Sequence, residues 1–323
     1  MRKNLLNLVE QEMARRRLDN ERTEAARKQE IEQKYPAIRA LITERENLIH
    51  GTLRGILSGK NTAADLPERM KDVSAKIRRA LKDNGYAEDY LTPVYQCEKC
   101  HDSGYIGEPI REMCSCMLKA YQKKLREEIG LRDDGSETFE KFNLALFPDE
   151  KIEGSSFSQR QQMEQVRRIC EEWAERWPEQ EKQDLVLSGK SGLGKTFLLH
   201  AIAARLIEKN VNVLLISTYR FLEIARESYF ENDSEPMEEL YGTDVLMLDD
   251  LGSEPMMQNI TIEQLFNLIN VRRGRGLSTL ISTNLNKKEL RERYTERIAS
   301  RLIDSGSSCF LSLHGEDIRK RKG

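Results

Sequence analysis

Residues 189–196, Gly-Lys-Ser-Gly-Leu-Gly-Lys-Thr, restrict the possible fold of this chain more than any other stretch. A short apolar run, residues 185–187, precedes them, and a helical pattern from Lys195 to Glu208 follows. A glycine-rich loop between a strand and a helix is the setting of the P-loop, whose backbone N–H groups and helix N-terminus bind phosphate. The sequence therefore predicts a site for ATP and Mg²⁺.

Two side chains of this loop have specific expected roles. Lys195 should reach the β- and γ-phosphates, and the Thr196 hydroxyl should bind Mg²⁺. A chance match in a glycine-rich loop is the alternative, but strand, loop and helix in the correct order argue against it. The residues predicted to contact the nucleotide and its Mg²⁺ are Gly189, Lys190, Ser191, Gly192, Leu193, Gly194, Lys195, Thr196, Phe197 and Asp249.

Polar residues follow two later apolar runs, residues 245–248 and 279–282. After the first run, Asp249 would hold Mg²⁺ through water, and Asp250 would act as general base on the attacking water. A plain Asp-Asp-Leu-Gly turn is the alternative. Asn284 follows the second run and could orient water or sense the γ-phosphate, although Thr-Asn is also ordinary turn chemistry.

Arginines complete the predicted catalytic set. Arg297 and Arg301 lie in a helical pattern at residues 291–304, and Arg319 comes after it. In an oligomer, one of the arginines of this helix, Arg291, Arg293, Arg297 or Arg301, could enter a neighbour's site and stabilise transition-state charge. The helix could equally expose a basic face to solvent, and both interpretations stay open. Arg319 could reach the site from its own chain.

The alternation of apolar and helical segments from about residue 160 onward indicates the fold class. Near-continuous apolar strands separated by helices predict a parallel sheet covered on both faces, which is an α/β domain. The predicted strands contain residues 185–187, 213–216, 245–248, 279–282 and 309–311.

The N-terminal part has a different pattern, with charged helices and no strand signal. One predicted helix has Pro36 in its first turn and ends at Gly59, and another ends at Asn84-Gly85. Their apolar stripes are more typical of packing surfaces than of cofactor sites. The sequence thus predicts a helical partner-binding region at 1–90, a cysteine-rich module at 91–117, a linker helix and loop at 118–160, and an ATPase domain at 161–323.

Four of the six cysteines lie within twenty residues, at Cys97, Cys100, Cys114 and Cys116. Two closely spaced pairs of thiolates can close a tetrahedral Zn²⁺ site that folds its own segment. His101 could replace one of the cysteines. An iron–sulfur cluster or free thiols remain chemically possible alternatives.

Charge and hydropathy limit the possible partners. There is no run of about 18 apolar residues and no apolar stretch at the start, so a cytoplasmic protein without a membrane partner is expected. The basic end at residues 319–322 is interpreted as a solvated tail, and contact with nucleic acid is the alternative. The segment at 218–230 mixes aromatic residues with arginine, a combination suited to single-stranded DNA. Core packing is expected for Phe221, while Tyr219 and Arg220 stay open.

These motifs together resemble those of the AAA+ ATPases. They are closest to the branch of helicase loaders and transposition helpers, the DnaC-, DnaI- and IstB-like proteins. The segments that carry the resemblance are SGKSGLGKT at 188–196, VLMLDDLGSE at 245–254, LISTNL at 280–285, ERIASRLID at 296–304 and TFEKFNL at 138–144. The resemblance covers residues 138–323, and the N-terminal plan of helices before a cysteine cluster is similar to that of DnaI-like loaders.

The resemblance implies a three-layer P-loop AAA+ domain with a parallel sheet, preceded by a helical region and a small zinc module. It also implies the residue roles: Lys195 and Thr196 on phosphate and Mg²⁺, Asp249 on Mg²⁺, Asp250 on water, Asn284 as first sensor, Arg297 or Arg301 as arginine finger, and Arg319 as second sensor. Many AAA+ proteins have Glu at the position of Asp250, so slow turnover is expected. The sequence ends soon after Arg319, without a full helical lid, so self-association through the ATPase domain is expected only within a complex.

The function implied by the resemblance is an ATP-dependent loader of a hexameric replicative helicase that also binds single-stranded DNA. Two alternatives remain at this point. One is an IstB-like transposition helper that acts on duplex DNA, and the other is a non-catalytic adaptor between primosome proteins. The cysteine module favours the loader.

Overall fold

The computed structural model describes residues 3–57, 65–132, 135–151, 156–231, 234–256, 261–304 and 306–321. The chain divides into two compact units. One runs from Asn7 to Leu118, and the other begins at Lys119 and also takes in the residues before Asn7. Within the described ranges, no helix has both the length and the apolar character needed to cross a lipid bilayer.

Three helices form most of the N-terminal unit: α1 (Lys3–Lys34), α2 (Pro36–Leu57) and α3 (Leu66–Asp83). Pro36 stands at the first position of α2, where its missing N–H leaves no hydrogen bond unmade. The predicted stop at Asn84 is confirmed as the C-cap of α3. Gly59, predicted to end α2, lies outside the described residues. Helices α2 and α3 pack with the end of α1 through one apolar cluster, which contains Ile31, Ile38, Ile42, Val73, Ile77 and Leu81.

A small antiparallel hairpin follows these helices. It pairs β1 (Tyr105–Ile106) with β2 (Glu112–Met113) and leads directly into α4 (Ser115–Glu128). The hairpin is only two residues long on each side. Isolated pairs of this size are marginal in water. We therefore expect the cysteines that flank the hairpin to contribute to its stability.

The second unit contains a five-stranded, wholly parallel sheet in the order β4-β5-β6-β3-β7. The strands are β3 (Asp184–Gly189), β4 (Val213–Ser217), β5 (Val245–Leu251), β6 (Ser278–Thr283) and β7 (Ser308–Leu313). All five predicted strands are thus confirmed. The P-loop strand β3 lies between β6 and β7, although β4 follows it in sequence. Ligands in open parallel sheets bind at the carboxyl ends of the strands where such reversals of order occur.

Helices cover both faces of this sheet. They are α5 (Gln159–Arg176), α6 (Lys195–Glu208), α7 (Thr218–Glu231), α8 (Glu235–Gly242), α9 (Thr261–Gly274) and α10 (Lys287–Ile303). Helices α5 and α6 pack together on one face, while α7, α8, α9 and α10 form a continuous layer on the other. The predicted three-layer α/β fold is therefore confirmed. Phe221 of α7 is wholly buried in the apolar core between the sheet and the layer formed by α7, α8, α9 and α10, as predicted.

Helix α10 begins earlier than the sequence pattern indicated. The prediction placed its start at residue 291, but it begins at Lys287 because Asn286 caps it. The Asn286 side chain accepts from the N–H groups of Lys288 and Glu289, and Glu289 accepts from the Asn286 N–H in return. This reciprocal arrangement satisfies N–H groups that no earlier turn can reach. Thr295 interrupts the helix with a φ of 71°.

The segment before α5 is more ordered than its polar sequence suggested. Two short 3₁₀ turns, Phe139–Lys141 and Leu144–Leu146, occur where a loop was predicted. Phe139, Phe142 and Phe147 are all buried. The rings of Phe142 and Phe147 lie 5.5 Å apart. The apolar residues within this polar stretch therefore hold it against the ATPase fold.

Candidate nucleotide site and cysteine cluster

The P-loop joins the end of β3 to the first turn of α6. Gly192 and Gly194 adopt φ values of 79° and 83°, in the left-handed region that favours glycine. Gly194 is the residue before α6, so the loop directs its backbone toward the N-terminal end of that helix. This is the geometry of an anion-binding nest at a helix N-terminus.

Lys195 is held by the loop from which it projects. Its Nζ donates to the carbonyl oxygens of Gly189 at 2.6 Å and Lys190 at 2.9 Å, and to Asn284 Oδ1 at 2.8 Å. Burial lowers the pKa of the Lys195 ammonium, and the charge of Asp250 opposes that shift. The contact with Asn284 brings the end of β6 to the P-loop.

Asp249 lies beside the first turn of α6. The Thr196 hydroxyl donates to both of its carboxylate oxygens, at 3.2 Å and 2.9 Å. The Ser282 hydroxyl donates to Oδ1 of the same carboxylate. A hydroxyl and a carboxylate at this separation offer the hard oxygen ligands that Mg²⁺ prefers.

A β-bulge in β5 sets the directions of Asp249 and Asp250. Leu248 pairs with Ile281 and Leu251 pairs with Thr283, so both aspartates lie opposite the single residue Ser282. Two residues facing one is the definition of a bulge, which redirects side chains that plain alternation would place on opposite faces.

Asp250 carries the backbone strain of this bulge. Its φ is 57°, and its N–H donates to the Ser282 hydroxyl oxygen at 3.0 Å. Burial raises the pKa of the Asp250 carboxyl, and the neighbouring charge of Asp249 raises it further. Lys195 acts in the opposite direction. Asp250 is thus a strained acidic group whose pKa is shifted toward neutrality beside the loop, as in many functional sites.

The two predicted finger candidates contact helix α9. The guanidinium carbons of Arg297 and Arg301 lie 4.3 Å and 4.5 Å from the centre of the Phe266 ring. Arg301 also donates to Asn270 Oδ1 at 2.6 Å, whereas Arg297 is exposed. Among the described contacts, neither side chain touches residues 189–196 of its own chain.

Arg319 does reach the P-loop of its own chain. Its Nη2 donates to the Ser191 hydroxyl oxygen at 2.9 Å and to Asp317 Oδ2 at 2.8 Å. Its Nε donates to Asp317 Oδ1 at 3.0 Å. The structure therefore brings Arg319 together with the loop, as the sequence predicted.

Aromatic residues border the loop on the side of the 3₁₀ turns. A Cβ built on Gly194 would meet the Phe142 ring at 3.4 Å and the Phe147 ring at 3.7 Å. Phe197, predicted to contact the nucleotide, lies 5.4 Å from Phe142 between ring centres. Segment 139–147 thus forms an apolar wall against the start of α6.

The four clustered cysteines meet in the N-terminal unit. Their Sγ atoms all lie within 4.8 Å of one another. Cys97 and Cys114 are separated by 3.8 Å, and Cys100 and Cys116 by 3.4 Å, between sulfur atoms. Backbone N–H groups of Cys100 and Lys99 lower the pKa of the Cys97 thiol to about 7. His101 is not part of this group, because its ring stacks on Tyr95 with 4.4 Å between centres.

Asp102 fixes the loop that carries the first two cysteines. Its carboxylate is fully buried and accepts the N–H groups of Gln96 at 2.8 Å and Cys97 at 2.9 Å. The Asn20 amide of α1 donates to the same carboxylate at 2.6 Å. A buried carboxylate that organises a ligand loop is a typical outer-shell partner of a metal site.

Comparison with known proteins agrees with this geometry. The family described as IstB-like ATP binding protein matches residues 113–322, well over half of the chain. The chain belongs to this family. It is an AAA+ protein that binds ATP, and it is an ATPase.

Two relatives of this IstB-like protein are named as helicase loaders. The replicative helicase loader DnaI of Bacillus subtilis (strain 168) is 34% identical over 112 residues, covering 34% of this chain and 36% of DnaI. The replicative helicase loader DnaC of Buchnera aphidicola subsp. Baizongia pistaciae (strain Bp) is 27% identical over 142 residues, covering 42% of this chain and 56% of DnaC. The chain thus spans about a third to a half of these relatives.

A solved structure of DnaI is similar in part to the IstB-like chain. It is 22% identical, covers 61% of this chain and 99% of its own, and gives a TM-score of 0.45.

Sequence reasoning assigned no role of their own to two residues beside the P-loop, although Ser282 belongs to the polar group Ser282-Thr283-Asn284 that ends a predicted strand. Ser282 donates to Asp249 and accepts from Asp250, and a polar residue at the end of the apolar strand β6 was its only signal. Asp317 pairs with Arg319 beside the loop, and nothing in the surrounding sequence distinguished it.

Proposed function

We propose that this protein is an ATP-dependent loader of a hexameric replicative DNA helicase, acting in the cytoplasm and using ATP as a switch. The observation that carries the proposal is its similarity, over about a third to two fifths of the chain, to proteins named as replicative helicase loaders. The assembled P-loop site supports it, because a switch needs a site that distinguishes ATP from ADP.

ATP binding is assigned to the residues predicted from the sequence, from Gly189 through Phe197, together with Asp249. The N–H groups of the loop would surround the phosphates, and Lys195 would exchange its carbonyl partners for phosphate oxygens. Thr196 and Asp249 would hold Mg²⁺, since their oxygens already lie within hydrogen-bonding distance of one another. Mg²⁺ would neutralise charge that develops on the phosphates.

Hydrolysis is assigned to Asp250 and Asn284. Asp250 would accept a proton from the attacking water, and its raised pKa suits a base that works near neutral pH. Asn284 would help to place that water, because its side chain already contacts Lys195. Arg319 would act on the phosphates from its own chain. The exposed Arg297, or Arg301, would act on a neighbour's site in an assembled complex.

Zn²⁺ is the proposed occupant of the cysteine cluster. A tetrahedral site with Zn–S distances of about 2.3 Å places its sulfur atoms about 3.8 Å apart. The separations of 3.8 Å and 3.4 Å between the paired sulfurs fit that geometry. Cys97, Cys100, Cys114 and Cys116 would supply all four ligands, and the metal would act structurally.

Single-stranded DNA is the proposed ligand of one face of α7. Tyr219, Arg226 and Phe230 recur at intervals of seven and four residues, and Tyr219 and Phe230 are 52% and 71% exposed. Arg220 pairs with Glu223 and Glu227, so stacking on the rings should contribute more than ionic contacts. Changing both rings to Ala should weaken binding of labelled oligonucleotide, while Phe157→Ala, at another exposed ring, should not.

The domain boundaries predicted from the sequence remain part of the proposal. Residues 1–90 and the cysteine module at 91–117 would contact the helicase, and 118–160 would lead into the ATPase domain at 161–323. Exposed apolar side chains in the N-terminal unit, among them Leu8, Leu18 and Ile110, are available to such a partner.

Native mass spectrometry tests the loader function directly. The protein is mixed with the hexameric replicative helicase of its own organism, with ATP and separately with ADP. A complex that keeps the hexamer and differs between the two nucleotides is expected. If no complex forms with either nucleotide, the loader function is wrong. ATP-dependent filaments on duplex DNA would then favour the transposition-helper function of IstB-like proteins.

A further inference from the structure

The segment after β7 returns to the P-loop and is fixed there through its backbone. The Gln159 side chain accepts the Glu316 N–H at 3.0 Å and donates to the Glu316 carbonyl at 2.9 Å. One turn along α5, Gln162 accepts the His314 N–H at 2.8 Å. Two glutamines thus hold the segment through the backbone groups of His314 and Glu316.

Asp317 is the side chain that this segment places against the loop. The next residue, Ile318, donates its N–H to the Gly192 carbonyl at 3.1 Å. A Cβ on Gly192 would overlap the Asp317 carboxylate, so the carboxylate lies directly on the glycine. An acidic group therefore stands against the loop that must accept a polyphosphate.

Arg319 is occupied by this carboxylate. Two of its nitrogens donate to the two Asp317 oxygens, at 3.0 Å and 2.8 Å, in the fork geometry that arginine also uses for phosphate. The charge of Arg319 also contributes to lowering the pKa of Lys195, so the arginine belongs electrostatically to the phosphate site. The Asp317 carboxylate thus uses the guanidinium nitrogens of Arg319 that would otherwise be able to bind a phosphate.

We propose that Asp317 sets the nucleotide affinity of this site by competing with the triphosphate for Arg319. The inference rests on the proposed ATP site. Bound ATP brings several negative charges next to Asp317, and like charges at short range repel. Arg319 leaves the carboxylate for the outer phosphates, and Asp317 moves off Gly192. Asp317 therefore costs more affinity for ATP than for ADP.

The test compares affinities for a non-hydrolysable ATP analogue and for ADP across matched variants. Asp317→Asn should tighten binding of the analogue by about fivefold or more, in the usual range of coupling between sites, and binding of ADP by less. Asp317→Glu should stay near wild type. Glu316→Gln, which removes the same charge one residue earlier, should have no effect. Adding Arg319→Ala to Asp317→Asn should abolish the gain.

Hydrogen exchange supplies a second measurement on the unmodified protein. The Ile318 amide, which donates to Gly192, should exchange faster with the ATP analogue than with ADP. The inference is overturned if Asp317→Asn binds the analogue no more tightly than wild type, or if Glu316→Gln gains as much affinity. It is also overturned if the exchange rate of the Ile318 amide is the same with the analogue and with ADP. Lys195→Ala separates an error in the ATP-site assignment from an error in the role of Asp317. If the site assignment is wrong, Lys195→Ala should bind nucleotide as the wild type does.

Discussion

One extra residue in β5 determines where both carboxylates of the nucleotide site stand. Without the bulge opposite Ser282, Asp249 and Asp250 would point to opposite faces of the sheet. The sequence could predict that two acids end this strand, because an apolar run precedes them. It could not predict the bulge, since the register with β6 depends on contacts more than thirty residues away.

Lys195 and Asp250 separate binding from hydrolysis. Lys195→Ala should abolish detectable ATP binding, because the side chain that reaches the phosphates is lost. Asp250→Asn should keep ATP affinity within about threefold and reduce hydrolysis by about a hundredfold or more, the usual contribution of a general base. Equilibrium binding of a fluorescent ATP analogue and single-turnover hydrolysis measure the two effects. Normal ATP binding by Lys195→Ala would show that the site assignment is wrong.

The raised pKa of Asp250 predicts an acid limb in the pH profile of hydrolysis. A general base must be deprotonated, so the rate should fall as pH decreases through its pKa. Because burial and Asp249 raise that pKa, the fall should begin above the value of about 3.9 for an ordinary aspartate. Single-turnover rates between neutral and acid pH, at saturating ATP, measure it. A rate that stays flat down to the ordinary range would contradict the role of Asp250.

At the scale of whole elements, the sequence predicted helices and strands best where the spacing of apolar residues and the residues that begin or end an element agree. The five strands and α6 were predictable because apolar runs and the glycine loop leave few alternatives. The early start of α10 is signalled by Asn286 and Glu289, whose spacing is typical of a reciprocal N-terminal cap. The spacing of apolar residues alone does not show this start. The 3₁₀ turns at 139–147 could not be predicted, since their order comes from packing of Phe142 and Phe147 near Gly194.

The hairpin of β1 and β2 should depend on metal. It is too short to be stable alone, and its flanking cysteines already converge. We expect about one Zn²⁺ per chain, with tetrahedral thiolate coordination in X-ray absorption spectra. Cys114→Ser should lose most of that zinc and the amide protection of residues 97–116. Cys309→Ser, which changes a half-buried cysteine in the other unit, should keep both. Full protection after complete chelation would contradict a structural metal.

On the scale of the whole molecule, the two compact units carry different chemistry. The unit from Asn7 to Leu118 contains the cysteine cluster and no part of the P-loop, while the unit from Lys119 contains every residue assigned to ATP. Each has its own apolar core. Separate cores allow one unit to be damaged while the other stays folded.

Helicase capture and nucleotide response should therefore be separable by single substitutions. Cys114→Ser should keep ATP affinity but weaken helicase binding at least about tenfold, because loss of a folded contact module removes its central anchors. Lys195→Ala should capture helicase normally and lose the difference between ATP and ADP. Mass photometry of helicase mixtures with each variant and nucleotide measures both. If Cys114→Ser binds helicase with wild-type affinity, the partner surface lies outside the cysteine module. If Lys195→Ala does not bind helicase, nucleotide is required for the contact itself and not only for the timing of release.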